Sequence, residues 1–164
     1  MNAVVMQDLV SLAAQSAVRL KERQQTLTVA ESSAGGLISA ALLAVPGASA
    51  YYLGGTVVYT YAARTILLGL EQEAIAGMRS ATEPYTLALA RTARERLHST
   101  WGLAETGATG PSGNRYGDAP GHGCLAVSGP LDRTRTLETG STDRIGNMYA
   151  FASAALALLL ECLE

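Results

Sequence analysis

Between Met6 and Arg23 the apolar residues Leu9, Leu12, Ala13, Ala17 and Leu20 recur at intervals of three and four, the stripe one face of a helix presents to a core. The β-branched stretch Thr26 to Ala30 predicts a strand. A Gly35-Gly36 turn then leads into a second apolar helix, which stops near Val45-Pro46-Gly47 where proline and glycine punctuate it. Gly54 to Tyr61, GGTVVYTY, is rich in β-branched and aromatic residues and predicts another strand. Thr82-Glu83-Pro84 has the grammar of a helix start, with threonine as N-cap, an acid in the first turn and an early proline. From there Tyr85, Leu89, Ala93 and Leu97 drift round one face while Arg91, Arg94 and Glu95 point elsewhere, so this helix lies on a sheet. WGLAETGATGP reads as a strand entering a turn, GCLAVSG as another strand and TRTLETG as a polar edge strand. Asp143 to Leu163 closes the chain as a helix.

Helices and strands alternating in this way predict an α/β fold, a layered α/β/α sandwich around a mixed, partly parallel sheet, and in such sheets ligands sit beyond the carboxyl ends of strands. At 164 residues and 48% hydrophobic content the chain suits one domain, taken here as 1–164. Net charge is −2 with scattered cations, so the basic footprint of a nucleic-acid binder is missing. Cys124 and Cys162 show no metal spacing and fit a reducing compartment, although a bridge between them is open. The first residues lack a secretory pattern, which makes the cytoplasm the expected location. Met148 to Leu160 is apolar but shorter than the roughly 20 residues of a bilayer span, so a buried helix and no membrane partner are expected.

Three glycine-rich turns stand at comparable places relative to the strands: Ser33 to Gly36, Pro46 to Gly55, and Gly107 to Gly123. The last holds six glycines and two prolines, and long loops in compact domains are commonly functional. No phosphate-binding G-x-x-x-x-G-K-[ST], no dinucleotide G-x-G-x-x-G after a strand and no G-x-S-x-G elbow occurs; GATGPSG has glycines three apart, a weak signal. His98 and His122 are the only histidines and make no metal set, so no metal or cofactor is expected. His98 suits a helix C-terminus, and His122 either touches ligand or serves its loop. The stretch TVAESSAGGLISAALL raises a specific question. A turn opening a helix attracts anions through its free N–H groups, yet Glu31 stands at its mouth.

TVAESSAGGLISAAL, VPGASAYYLGGTVVYTYAARTILLGL, TGATGP and the GSTDR before the last helix resemble, in order and over nearly the whole chain, the C-terminal domain of the CinA family, the nicotinamide mononucleotide deamidases called PncC. The metal-dependent activity of the larger N-terminal domain that some members carry does not transfer. The resemblance implies hydrolysis of the nicotinamide carboxamide to the nicotinate nucleotide and ammonia through a serine nucleophile after the Pro-Gly turn, here Ser49, and it implies a homo-oligomer. The family's lysine base closes a TYSNEAK-like segment; here the segment is VYTYAAR and that position holds Arg64. A guanidinium with a pKa above about 12 stays protonated and cannot act as a base near neutrality. Lys21, the only lysine, sits at the end of the first helix and about 20 Å from the expected site. In the loop, the family's EKPVGT corresponds to DAPGHG, leaving Arg115 as a replacement cation.

Ser49 is therefore either nucleophile or turn residue. Arg64 either binds a substrate anion or pairs with an acid at a helix start. Tyr59 either meets substrate and its protons or packs. Glu31 and Ser32, with the Gly35-Gly36 turn, either face the ribose or amide end of a nucleotide or, for Glu31, cap a neighbouring helix or pair with Arg64. Phosphate is assigned to Arg144 and the turn carrying Thr106, Gly107 and Gly110. Two functions stay open: a nicotinamide-nucleotide amidohydrolase, and a non-catalytic nucleotide-binding or structural paralogue that lacks the lysine base.

Overall fold

The computed structural model describes residues 4–164; the first three residues of the expected domain lie outside that range. In chain order the elements are α1 (Met6–Glu22), β1 (Leu27–Glu31), α2 (Leu37–Leu43), β2 (Tyr52–Val57), α3 (Tyr61–Ala63), α4 (Glu83–Leu97), β3 (Trp101–Ala108), β4 (His122–Ser128), β5 (Arg133–Glu138) and α5 (Arg144–Cys162). The strands form one sheet in the order β2-β1-β3-β4-β5. Its left half is parallel (β2, β1, β3), and β4 and β5 add antiparallel. Helices α1, α2 and α5 cover one face and α4 the other, giving the expected three-layer α/β architecture.

The periodicity of α1 is realised directly, since Leu9, Ala13, Ala17 and Leu20 are buried against α2 and α5. Strand β1 is buried at all five positions, as a central parallel strand requires. The predicted strand at Gly54 to Tyr61 is displaced: β2 starts earlier and ends at Val57, because Thr60 caps the short α3 by accepting from the Ala63 N–H at 3.1 Å. Between α3 and α4 the chain makes a π-turn (Arg64–Leu68) and a 3₁₀ turn (Gln72–Ile75) that its sequence pattern does not announce. Thr82 precedes α4 as expected, but its hydroxyl donates to the Arg79 carbonyl (2.6 Å) instead of accepting from the helix. β5 is the polar edge strand, tied to α4 by Thr134 and Thr136, which donate to the Glu83 carboxylate at 2.6 and 2.9 Å.

Helix α5 is long and apolar enough to be compared with a membrane span, but its residues Phe151, Ala152, Ala155, Leu156 and Leu159 are buried in the core. Phe151 sits on Gly107 and Gly123, which are paired across β3 and β4; a Cβ at either would come within 2.7 or 2.9 Å of its ring. Asp143 caps α5 by accepting from the Gly146 N–H at 3.1 Å. Cys124 and Cys162 are buried free thiols in this structure, not a disulfide.

Candidate functional site

At the carboxyl ends of β1 and β3 a cavity of about 430 Å³ opens, lined by Ser32, Tyr59, Tyr61, Tyr85, Thr106, Arg115 and Tyr116 among others. This is where the fold class places ligands. At the ends of the same two strands stand two fully buried carboxylates, Glu31 on β1 and Glu105 on β3, neither of which lines the cavity.

Glu31 resolves the question of the glycine turn. Its carboxylate accepts from the N–H groups of Gly36 (3.1 Å), Ile38 (3.0 Å) and Ser39 (2.9 Å), so the opening of α2 is already filled by an anion from the chain itself. It neither lies at a lip nor pairs with Arg64. Gly35 and Gly36 hold φ of +67° and +101°, conformations that suit glycine. The Gly35 N–H is spent on the Ser32 carbonyl (3.1 Å) and the Gly36 N–H on Glu31.

Glu105 was hidden in the sequence within an apolar strand. It accepts from the backbone N–H of Ser32 (3.1 Å) and Ala34 (2.8 Å) and from the Ser33 hydroxyl, so it fixes the whole turn beneath the cavity. Burial pushes its carboxyl up to about 7, against the downward pull of the Ser33 hydroxyl and the Ala34 and Ser32 N–H groups; the charge of Glu31 adds to the rise. The available signal was a lone acid in a strand whose neighbours are all buried.

Arg64 is buried to 2% exposure and does not line the cavity. Its guanidinium donates to the Leu70 carbonyl (3.3 Å), the Tyr85 hydroxyl (3.4 Å) and the Gln72 side-chain oxygen (2.9 Å), with Cζ 4.9 Å from the Tyr61 ring centre. It supports two cavity tyrosines from behind. Its partners are neutral, so the expected pairing with a helix-start acid is not made.

Ser49 is not brought to the cavity. It is exposed on the 3₁₀ turn Ala48–Ala50 that enters β2, while Tyr59 lies just past the other end of that six-residue strand, about 20 Å away at the usual rise. The reason is topological: β1 and β2 are parallel, so the turn after α2 returns to the amino end of the sheet. Lys21 is at that same end, where its Nζ reaches the Pro46 carbonyl at 3.5 Å.

The rim gathers groups from three loops. Tyr59 is 62% exposed and its hydroxyl accepts from Arg144 (3.4 Å), which also donates to the Gly110 carbonyl (2.5 Å). Asn147 ties the same loop to α5 through the Thr109 carbonyl (2.9 Å). Thr106 and Gly107 line the cavity, with the Thr106 hydroxyl 3.2 Å from that of Thr86; Gly110 does not line it. Across the mouth, Arg115 donates to the hydroxyls of Tyr61 and Tyr116 (the latter at 2.9 Å), and these two hydroxyls are 2.5 Å apart. Asp118 anchors the loop by accepting from Arg79 (2.5 Å) and Asn114 (2.7 Å), and the Arg79 bond holds its carboxyl below the usual range.

His122 is buried beneath the loop and does not line the cavity. One ring nitrogen faces Glu138, the other the Ala81 carbonyl at 2.8 Å, where Cys124 Sγ also donates (3.3 Å). Ala81, on the cavity wall, is thereby held at φ +57°. His98 caps the end of α4.

The architecture is that of a three-layer α/β protein with a cavity beyond the carboxyl ends of β1 and β3. Residues 9–163 match the family model described as CinA C-terminal domain, and the chain belongs to that family. A CinA-like protein of Gloeobacter violaceus is 41% identical over 128 residues, 78% of this chain and 30% of the relative; one of Anaeromyxobacter sp. strain K is 36% identical over 143 residues, 86% and 35%. The chain thus spans about a third of the length of these curated relatives. Among solved structures, a competence-damaged protein (CinA) superfamily member from Escherichia coli superposes with TM-score 0.88 at 27% identity, covering 95% of this chain and 91% of that one. The competence/damage inducible protein CihA of Agrobacterium tumefaciens gives 0.88 at 26%, with 96% of both chains covered.

Proposed function

We propose that this chain is a cytoplasmic amidohydrolase of the nicotinamide mononucleotide deamidase type, with Ser32 in the role the sequence resemblance assigned to Ser49. The observation that carries the reading is that Ser32 lines the cavity on a turn fixed by Glu105, whereas Ser49 stands at the opposite end of β2. The Ser32 hydroxyl attacks the carboxamide carbon, the C–N bond breaks and ammonia leaves; water then cleaves the acyl ester to the nicotinate carboxylate. Tyr59, Tyr61 and Tyr116 offer flat, electron-rich faces to a cationic pyridinium ring, and Arg144 offers guanidinium donors to the phosphate. The volume of about 430 Å³ is in the range of small-ligand sites.

A second reading, binding without turnover, is favoured by Arg64. This permanently charged group is spent on structural partners, and the cavity lining holds no lysine. Ammonia release from nicotinamide mononucleotide separates the two. The enzyme reading expects release by the wild type and by Ser49→Ala but not by Ser32→Ala. Release seen only in Arg64→Lys establishes the second reading instead. A homo-oligomer completes the proposal: the free edge strand β2 exposes Leu53 and Val57, apolar surface that a second copy would cover.

A further inference from the structure

We propose that Tyr61 and Tyr116 form a proton-sharing phenol pair, clamped by Arg115, that acts as the base for Ser32 in place of the missing lysine. The inference rests on the deamidase reading but stands on separate observations. The two hydroxyls, 2.5 Å apart, come from different segments, α3 and the glycine loop, and meet at the mouth of the cavity that Ser32 lines. A phenol that donates to its neighbour's oxygen stabilises that neighbour's anion, and the anion needs a fixed countercharge. Arg115 supplies it by donating to both oxygens while its Cζ lies 5.2 and 5.1 Å from the two ring centres.

Two further groups beside Tyr116 favour its anion. Arg79 lies 5.3 Å from its ring centre, and Ser80 is a further hydrogen-bond partner. Asp118, a carboxylate of the same loop, is paired with Arg79 at 2.5 Å. The bond to Tyr61 is the largest influence drawing the Tyr116 phenol down to about 8; partial burial opposes it, and Arg115 adds to the fall. At that value a useful fraction is phenolate near neutrality, which is what a general base requires.

The chemistry balances without any other reactant than water. The phenolate takes the Ser32 proton as the serine oxygen bonds to the amide carbon. The neutral phenol returns that proton to the departing nitrogen, so that ammonia leaves as the C–N bond breaks. In the second half the phenolate takes a proton from water, the hydroxide oxygen bonds to the acyl carbon, and the ester bond to the Ser32 oxygen breaks as the phenol reprotonates that oxygen.

The test combines an ultraviolet phenolate titration with ammonia release from nicotinamide mononucleotide, for wild type and for Tyr116→Phe, Tyr61→Phe, Arg115→Gln and Ser32→Ala. One phenol ionising near pH 8 is expected in wild type, absent in Tyr116→Phe and moved upward in Tyr61→Phe and Arg115→Gln. Removing the base lowers kcat/KM by about 10²-fold or more in Tyr116→Phe, with KM little changed. Tyr116→Phe turning over like wild type, while Ser32→Ala is dead, overturns the phenol pair and leaves the deamidase reading intact. Ser32→Ala at wild-type rate, or a wild type releasing no ammonia, removes the deamidase reading and the base role with it. A low-pH phenol that persists in Tyr116→Phe overturns the pairing regardless of activity.

Discussion

Two guanidinium groups approach the ring of Tyr61, and they could hardly be used more differently. Arg64, at 4.9 Å, is buried and bonded to a carbonyl, an amide oxygen and a phenol; Arg115, at 5.2 Å, is exposed and bonded to two phenol hydroxyls at the cavity mouth. The first holds the wall in shape and the second lines the cavity. Arg64, the position where the family resemblance led us to expect a base, is scaffolding here, and the guanidinium at the cavity mouth comes from the glycine loop. The same division separates the buried strand ends, where Glu31 and Glu105 are spent on backbone N–H groups, from the rim of tyrosines and arginines.

Substitutions on the two sides test that division. Arg64→Ala should have the largest effect, about 3 to 5 kcal/mol lost in urea unfolding, because a buried cavity opens and Tyr85, Gln72 and the Leu70 carbonyl lose their donor. If Arg64→Ala is near neutral for stability but abolishes ligand binding, Arg64 belongs to the rim after all. Glu31→Ala should cost about 2 to 3 kcal/mol, since three N–H groups at the start of α2, one of them buried and two part-buried, lose their acceptor; unchanged hydrogen-exchange protection of Ile38 and Ser39 would contradict this.

Glu105 provides a pH signature. Its folded-state value is raised from 4.5 to about 7, so the folded protein binds the proton more tightly than the unfolded chain. Its contribution to stability is therefore full below about pH 4.5 and declines as pH rises to about 7, and Glu105→Gln should flatten the stability–pH curve across that window. A wild-type curve rising through that interval with the same slope in Glu105→Gln would refute the assignment. The smallest structural effect belongs to Arg115→Gln, which should leave the urea midpoint unchanged while weakening nicotinamide mononucleotide binding in calorimetry. A shifted midpoint with unaltered binding would reverse the contrast between the two arginines.

Much of the scaffold was legible because its elements repeat a simple period: the stripe of α1, the buried run of β3 and the Asp143 start of α5 all read directly. The π-turn at Arg64–Leu68 was not, since its apolar residues fit several local shapes and only the contacts of Arg64 select one. The site was legible in composition and not in arrangement. The family resemblance, not the pattern, pointed to Ser49 after the Pro-Gly turn, yet in a β-α-β unit the loop after the helix returns to the opposite end from the loop after the strand. That rule points to Ser32. Glu31 was visible but its direction was not, because the same carboxylate can point outward to a ligand or inward to a helix start. Glu105 and the Tyr61–Tyr116 contact depend on strand pairing and loop closure over long sequence separations, which a linear reading does not supply.

Since the opening of α2 is already occupied by Glu31, a phosphorylated visitor must find its countercharge among solvent-facing side chains instead of backbone dipoles. Attraction to exposed guanidiniums is screened by added electrolyte, whereas contact with tyrosine rings is far less so. Ionic strength should then discriminate between the two halves of such a visitor, loosening the phosphate while the ring stays engaged.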